Sequence, residues 1–98
     1  MIRVHNEFHV DPSKIKQATD SAKAAQAVIG KMGFKPHEIL TDVTGEFYTI
    51  MFVGEFESLA HLEQTMTAVM GNPEFQKAYM PLRDAIRNGT RRILRVIG

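Results

Sequence analysis

The order of strand-like and helix-like segments restricts the fold of this chain more than any other feature. In the second half, a strand-like run over residues 47–56 precedes a helical stretch that breaks at Gly71 and resumes to Asn88, and a basic, β-branched tail over residues 91–97 closes the chain. The first half also reads as strand, helix and strand. The order βαββαβ builds one four-stranded antiparallel sheet with both helices on one face. We therefore predict a single ferredoxin-like α+β domain over residues 1–98.

Local signals support the individual elements. From Ile2 to Val10 the residues alternate between two faces, as in a half-buried strand. An alanine-rich stripe from Ile15 to Met32 repeats at helical spacing and predicts a helix that lies close to its sheet. Asp11, Ser58 and Asn72 each precede a helical pattern and are side chains that cap helix starts.

Other boundaries depend on turn and breaker residues. We predict a strand over His37–Val43, a tight turn at Thr44-Gly45 and a third strand that starts at Glu46. Pro81 removes a backbone donor inside the last helix and predicts a kink there. Gly89 is expected to end that helix.

Size and composition favour a small domain that forms a homodimer through its open sheet face. A domain of 98 residues, 44% of them hydrophobic, buries only about 60 to 65% of its unfolded surface, so a second copy is a common source of stability. The absence of cysteine excludes disulfides and thiol catalysis. The start resembles no signal peptide and no run has membrane-spanning length, so we expect no membrane contact and a cytoplasmic location.

Charge is distributed unevenly along the chain. No Lys or Arg occurs between Lys35 and Lys77, whereas arginines dominate the C-terminal region. A nucleic-acid surface is one interpretation. The other is that the acidic and basic regions pair with each other or face water. The net charge is near neutral and no aromatic-basic motif accompanies the arginines, so we expect no nucleic-acid partner.

The polar face of the first strand carries His5, Glu7 and His9, residue types that bind iron or zinc. His5 and His9 lie roughly 13 Å apart along a strand, too far to share one ion. A pair of them with a third ligand elsewhere stays open. We expect this face to meet a partner subunit or a wet cavity.

Asn6 is a polar residue on the otherwise apolar face of the first strand. Its amide must be satisfied or it costs about 1 to 3 kcal/mol. One interpretation is a structural hydrogen bond, and the other is a pocket group that positions a substrate oxygen. Tyr79 has a ring suited to the helix stripe and a hydroxyl that needs a polar partner. Met66, Met70 and Met80 fit either a core or an adaptable pocket.

Motifs for common cofactors and nucleophiles are absent. The glycines form no phosphate-cradling fingerprint, and no Ser-His-acid set is recognisable. We therefore predict no cofactor.

The chain resembles the dimeric α+β barrel superfamily, in particular its antibiotic biosynthesis monooxygenase-like and NIPSNAP-like branches. The resemblance lies in the βαββαβ order, in Asp11-Pro12, in the junction Glu55-Phe56-Glu57-Ser58-Leu59, in the restart Asn72-Pro73-Glu74-Phe75 and in the closing run Arg91 to Val96. It implies two sheets packed face to face, with a ligand cleft between each sheet and its helices. The superfamily hosts many activities on one scaffold.

In haem-degrading members of that superfamily, a first-strand asparagine faces the cleft, as Asn6 does by position. The haem-binding histidine and a tryptophan of those members are replaced here by Tyr79 and Val69, which makes haem degradation doubtful. The resemblance implies a cleft lined by Asn6, Phe8, Met66, Val69, Phe75 and Tyr79.

The sequence leaves two functions open. The first is a cofactor-independent monooxygenase-like enzyme, in which Asn6 and Tyr79 are the catalytic residues and position an aromatic substrate. The second is a non-catalytic NIPSNAP-like dimer that binds a ligand or a protein.

Overall fold

The computed structural model describes all residues, 1–98, and has the predicted ferredoxin-like α+β architecture. Its elements are β1 (Ile2–Val10), a 3₁₀ turn (Pro12–Lys14), α1 (Ile15–Lys31), β2 (Glu38–Thr41), β3 (Thr49–Phe56), α2 (Leu59–Met70), α3 (Pro73–Ala85) and β4 (Ile86–Arg95). The strands form one sheet in the order β2-β3-β1-β4, and all neighbours are antiparallel. The second helical stretch of the sequence is two helices, α2 and α3.

The alternation in β1 separates the two faces of the sheet. Val4 and Val10 are buried on the helix-facing side. The core consists of two packed clusters on that side. One contains Val10, Ala18, Ala22, Ile50, Phe52, Leu82 and Ala85, and the other contains Ala25, Val28, Ile29, Val69 and Phe75. The alanine stripe therefore lets α1 pack closely, as predicted.

The three predicted caps are confirmed. The side chain of Asp11 accepts a hydrogen bond from the backbone N–H of Ser13. Ser58 caps α2 in the same way, and Asn72 accepts from two backbone N–H groups at the start of α3. Each cap satisfies backbone donors that a helix start leaves unbonded.

Pro81 lies inside α3, and a side chain from α1 compensates for the disturbed hydrogen bonding. The hydroxyl of Ser21 accepts from the backbone N–H of Leu82 at 3.0 Å and donates to the carbonyl of Ala78. Gln17 donates to the carbonyl of Pro81 at 3.0 Å. Polar side chains of α1 thus bond the backbone of α3 next to the proline.

The predicted start of the third strand was wrong. β2 is shorter than His37–Val43, and β3 begins at Thr49 rather than Glu46, so a loop replaces the tight turn. The backbone of Tyr48 has a φ of 60°, which breaks the extended chain. Asp42 accepts from the N–H of Thr49 at 2.9 Å and holds the loop in place.

The predicted end of the last helix was also wrong, because α3 ends at Ala85 and Gly89 lies within β4. Gly89 pairs with Phe8, and a β-carbon at residue 89 would lie 2.9 Å from the carbonyl oxygen of Glu7. The glycine allows close approach of two strands instead of stopping a helix.

None of the helices combines the length and the apolar composition that a bilayer crossing requires. The helices cover one face of the sheet. The opposite face, which carries His5, Glu7 and His9, has no helix against it.

Candidate functional site

A small cavity of about 60 Å³ lies between the helix-facing side of the sheet and the three helices. Its apolar wall consists of Phe8, Ala25, Ile29, Phe52, Met66, Met70 and Phe75, and its polar groups come from Asn6, His37, Tyr79 and Arg91. An apolar pocket with a few convergent polar groups is the usual form of a small-molecule site.

The structure brings five of the six predicted cleft residues to this cavity. Val69 is the exception, because its side chain is only 1% exposed and packs in the core cluster beside Phe75. The placement gives Asn6 and Tyr79 a common cavity. Their roles in binding or catalysis stay predictions.

Asn6 bonds neither to backbone nor to a core side chain. Its Oδ1 accepts from the Nε of Arg91 at 2.7 Å. The antiparallel register places these two residues directly opposite each other on β1 and β4. Because an arginine can only donate, the amide oxygen of Asn6 must face the guanidinium, and its NH₂ group is left for another partner.

The phenol ring of Tyr79 stacks on Phe75, with ring centroids 5.5 Å apart and an angle of 13° between planes. Burial raises the pKa of Tyr79, and the positive charges of Arg83 and Arg91 oppose that rise. The hydroxyl therefore stays protonated at neutral pH and is able to donate a hydrogen bond.

His37 and Arg91 line the cavity but were missed in the sequence. The Nε2 of His37 is buried without a hydrogen-bond partner. Its ring lies over Gly54, where a β-carbon would come within 1.7 Å of the imidazole. Burial lowers the pKa of His37. The alternation of β2 carried a usable signal, since His37 has the same parity as the core-facing Ile39.

A larger groove of about 710 Å³ runs along the outer surface of α1 and α3. Four charged residues line it, of which Lys31 and Glu74 pair with each other at 2.7 Å and Asp20 pairs with Lys16. The groove is open to solvent, and of the charged residues that line it only Lys77 lacks an ion-pair partner. The smaller cavity is the better candidate site.

The model of one protein family, NIPSNAP, matches residues 5–98. The chain belongs to the NIPSNAP family. Its fold is shared with a NIPSNAP family protein from Agrobacterium tumefaciens, at 16% identity and a TM-score of 0.83, with 96% of this chain and 86% of that chain covered. A NIPSNAP domain protein from Burkholderia xenovorans gives 10% identity, a TM-score of 0.83, and coverage of 100% and 96%.

A putative antibiotic biosynthesis monooxygenase from Nitrosomonas europaea has the same fold at 8% identity and a TM-score of 0.76, with both chains covered in full. No curated protein matches this NIPSNAP chain. The structural neighbours show the fold of the NIPSNAP domain, while its chemistry must be argued from its own residues.

The open sheet face of this NIPSNAP domain holds the His5, Glu7 and His9 set. His9 contacts Glu46 at 3.0 Å, and the Nε2 of His5 is buried without a partner. No group of three or more His, Asp or Glu side chains lies close enough to hold one metal ion. The three side chains of this set are half-buried.

Proposed function

We propose that this NIPSNAP domain binds a small oxygen-bearing aromatic molecule in the cavity and oxidises it with dioxygen in a monooxygenase-like reaction without a cofactor. The observation that carries the proposal is the convergence of Asn6 and Tyr79 on one aromatic-walled cavity. The fold shared with a monooxygenase-type protein supports the reaction class.

The polar groups of the cavity act mainly as donors. The Tyr79 hydroxyl, the NH₂ group of Asn6 and the guanidinium of Arg91 all offer N–H or O–H groups. A ligand oxygen supplies an acceptor for these three donors. The fourth polar group is His37, whose buried Nε2 has no partner. Phe8 and Phe75 supply ring surfaces on which an aromatic ligand stacks.

The reaction balances with dioxygen as the only oxidant. A phenol loses one ring hydrogen and the hydroxyl hydrogen. One oxygen atom of O₂ stays on the ring carbon as a carbonyl, and the other leaves as water with those two hydrogens. The product is a quinone. Asn6 and Tyr79 hydrogen-bond the phenolic oxygen and so orient the ring.

Ligand entry requires the cavity to widen. Its volume of about 60 Å³ holds one or two waters, whereas a benzene-sized ligand needs about 150 Å³. Met66 and Met70 lie on α2, and Met70 is 46% exposed. Methionine side chains change rotamer easily, so these two residues are the ones that move to admit a ring.

Fluorescence titration with 1-naphthol and oxygen-electrode measurements test the proposal. We expect saturable binding with oxygen uptake, and at least tenfold weaker binding in Asn6→Leu and Tyr79→Phe. Met80→Leu is the control, because Met80 is exposed on α3 and does not line the cavity. Absence of naphthol binding to the folded wild type would refute the proposal.

The alternative is a non-catalytic NIPSNAP domain that binds a ligand or a protein. The narrow cavity and the engagement of Asn6 by Arg91 favour this second function. Binding of 1-naphthol with no oxygen uptake across the whole range from pH 6 to 9 would favour the non-catalytic domain over the monooxygenase-like enzyme.

We also propose that two copies associate through the open sheet face. This face carries both polar and apolar side chains, and the apolar ones include Leu40, Met51 and Val53. One cross-strand row runs from Glu38 on the β2 edge to Arg92 on the β4 edge. In this arrangement two sheets face each other across a two-fold axis that runs parallel to the strands. The axis sets the Glu38 edge of each copy opposite the Arg92 edge of the other copy.

A further inference from the structure

The formal charge in the lining of the cavity is positive only. Arg91 is the only charged residue among those that line it, and no carboxylate lies in the lining. Among the other arginines, two have acidic partners: Arg3 pairs with Glu55 at 2.6 Å, and Arg87 lies 3.7 Å from Asp11. Arg83, Arg92 and Arg95 form no ion pair, but they do not line the cavity. Arg91 forms no ion pair. Its charge at the rim of the cavity is therefore available to a ligand.

Asn6 also fixes the direction of the Arg91 side chain. The 2.7 Å bond from Nε to the amide oxygen occupies one edge of the guanidinium. The two terminal nitrogens keep their N–H groups for a planar, bidentate acceptor, which a carboxylate provides. Arg91 and the free NH₂ group of Asn6 lie side by side, so adjacent oxygen groups on one ring suit them.

From this geometry we infer that the ligand is a hydroxylated aromatic carboxylic acid, bound as its carboxylate. The carboxylate pairs with Arg91, the neighbouring hydroxyl meets Asn6 and Tyr79, and the ring lies against Phe8 and Phe75. This inference rests on the proposed function and names the ligand class for the same cavity.

The test compares 1-hydroxy-2-naphthoate with its neutral amide and with 1-naphthol, by fluorescence titration at low salt. The wild type should bind the acid at least tenfold more tightly than the amide. Arg91→Gln should remove that difference, and Arg91→Lys should keep only part of it, because an ammonium lacks the fork geometry.

Arg92→Gln is the matched control, because Arg92 is the next residue of β4 and pairs with His5 on the opposite face. It should keep the preference for the acid. An equal loss in Arg92→Gln and Arg91→Gln would show a general charge effect and overturn the inference. Circular dichroism establishes that each variant is folded.

Two further outcomes separate the inference from the proposed function. Equal binding of acid, amide and naphthol by the wild type overturns the anionic ligand and leaves aromatic binding intact. Failure of all three probes to bind overturns both.

Discussion

Asn6 is a polar side chain on an apolar strand face, which singles it out in the sequence, and it lines the candidate site in the structure. The Asn6 amide group belongs to no hydrogen-bond network in the core, but its oxygen has a hydrogen-bond partner. That oxygen accepts a hydrogen bond from the exposed guanidinium of Arg91, and the NH₂ group donates to no side chain or backbone carbonyl. The side chain thus works at the boundary between core and solvent.

Replacing Asn6 by leucine should separate stability from binding. The Arg91 N–H lost from the pair returns to water, because Arg91 is exposed, so the free energy of unfolding should fall by less than about 1 kcal/mol or rise. Binding of 1-naphthol should weaken at least tenfold. Urea denaturation measures the first quantity and fluorescence titration the second. A loss of several kcal/mol would mark Asn6 as structural.

His37 should make stability depend on pH. Burial lowers its pKa below the ordinary value of 6.5 in the folded state, so the unfolded chain takes up the proton more readily. The stabilisation from a neutral His37 is complete above pH 6.5 and is lost as the pH falls toward the folded pKa. Chemical denaturation from pH 7.5 to 5 should show this loss.

His37→Gln is the comparison for that pH series. It should be less stable at pH 7.5 but have a smaller decrease in stability on acidification. His61→Gln is the control, because His61 is exposed in the first turn of α2. If wild type and His37→Gln lose stability in parallel, His37 does not carry the effect.

Between the helices α1 and α3, one hydroxyl forms the buried hydrogen bond that links the two elements. Leu82 is fully buried, and its backbone N–H bonds to Ser21 immediately after the proline. Loss of that hydroxyl leaves a donor without its partner in the core. Ser21→Ala should therefore lower the free energy of unfolding by about 1 to 3 kcal/mol.

Thr19→Ala is the matched control for Ser21→Ala. The Thr19 hydroxyl donates only to the carbonyl of Ile15 in its own helix, so its loss should change stability by less than about 0.5 kcal/mol. Urea denaturation of both variants makes the comparison. Equal losses in the free energy of unfolding would show that the Ser21 hydrogen bonds to α3 stabilise the fold no more than the Thr19 bond within α1.

The elements differ in how far their sequence determines them. The alternation of β1 and the caps at Asp11 and Asn72 depend on neighbouring residues, so local patterns predict them. The start of β3 and the end of α3 depend on partners distant in sequence. Gly89 looks like a helix stop until its pairing with Phe8 on β1 is known.

The same distinction applies to the candidate site. Asn6 interrupts an apolar strand face, and Tyr79 brings a hydroxyl into an apolar helix stripe, which makes both visible in the sequence. Arg91 enters the site only through the register between β1 and β4, and that register is shifted between His9 and Val10. His37 follows a proline at a strand end, where its parity is the only local signal.

At the scale of the whole molecule, the uncovered sheet face predicts self-association. Sedimentation velocity at micromolar concentration should show a dimer. Met51→Glu places an unpaired charge on that face and should give a monomer, whereas Met80→Glu on the outer surface of α3 should remain dimeric. A monomeric wild type would contradict the proposed interface.

Binding of a small aromatic molecule in the cavity between the sheet and the helices should be visible in NMR spectra of the methionine methyl groups. The chain has six methionines, of which Met66 and Met70 line the cavity while Met51 lies on the open sheet face and Met80 is exposed on α3. Titration with 1-naphthol should shift the Met66 and Met70 signals to saturation and leave those of Met51 and Met80 unchanged. Shifts confined to Met51 or Met80, or no shifts at all, would contradict binding in this cavity.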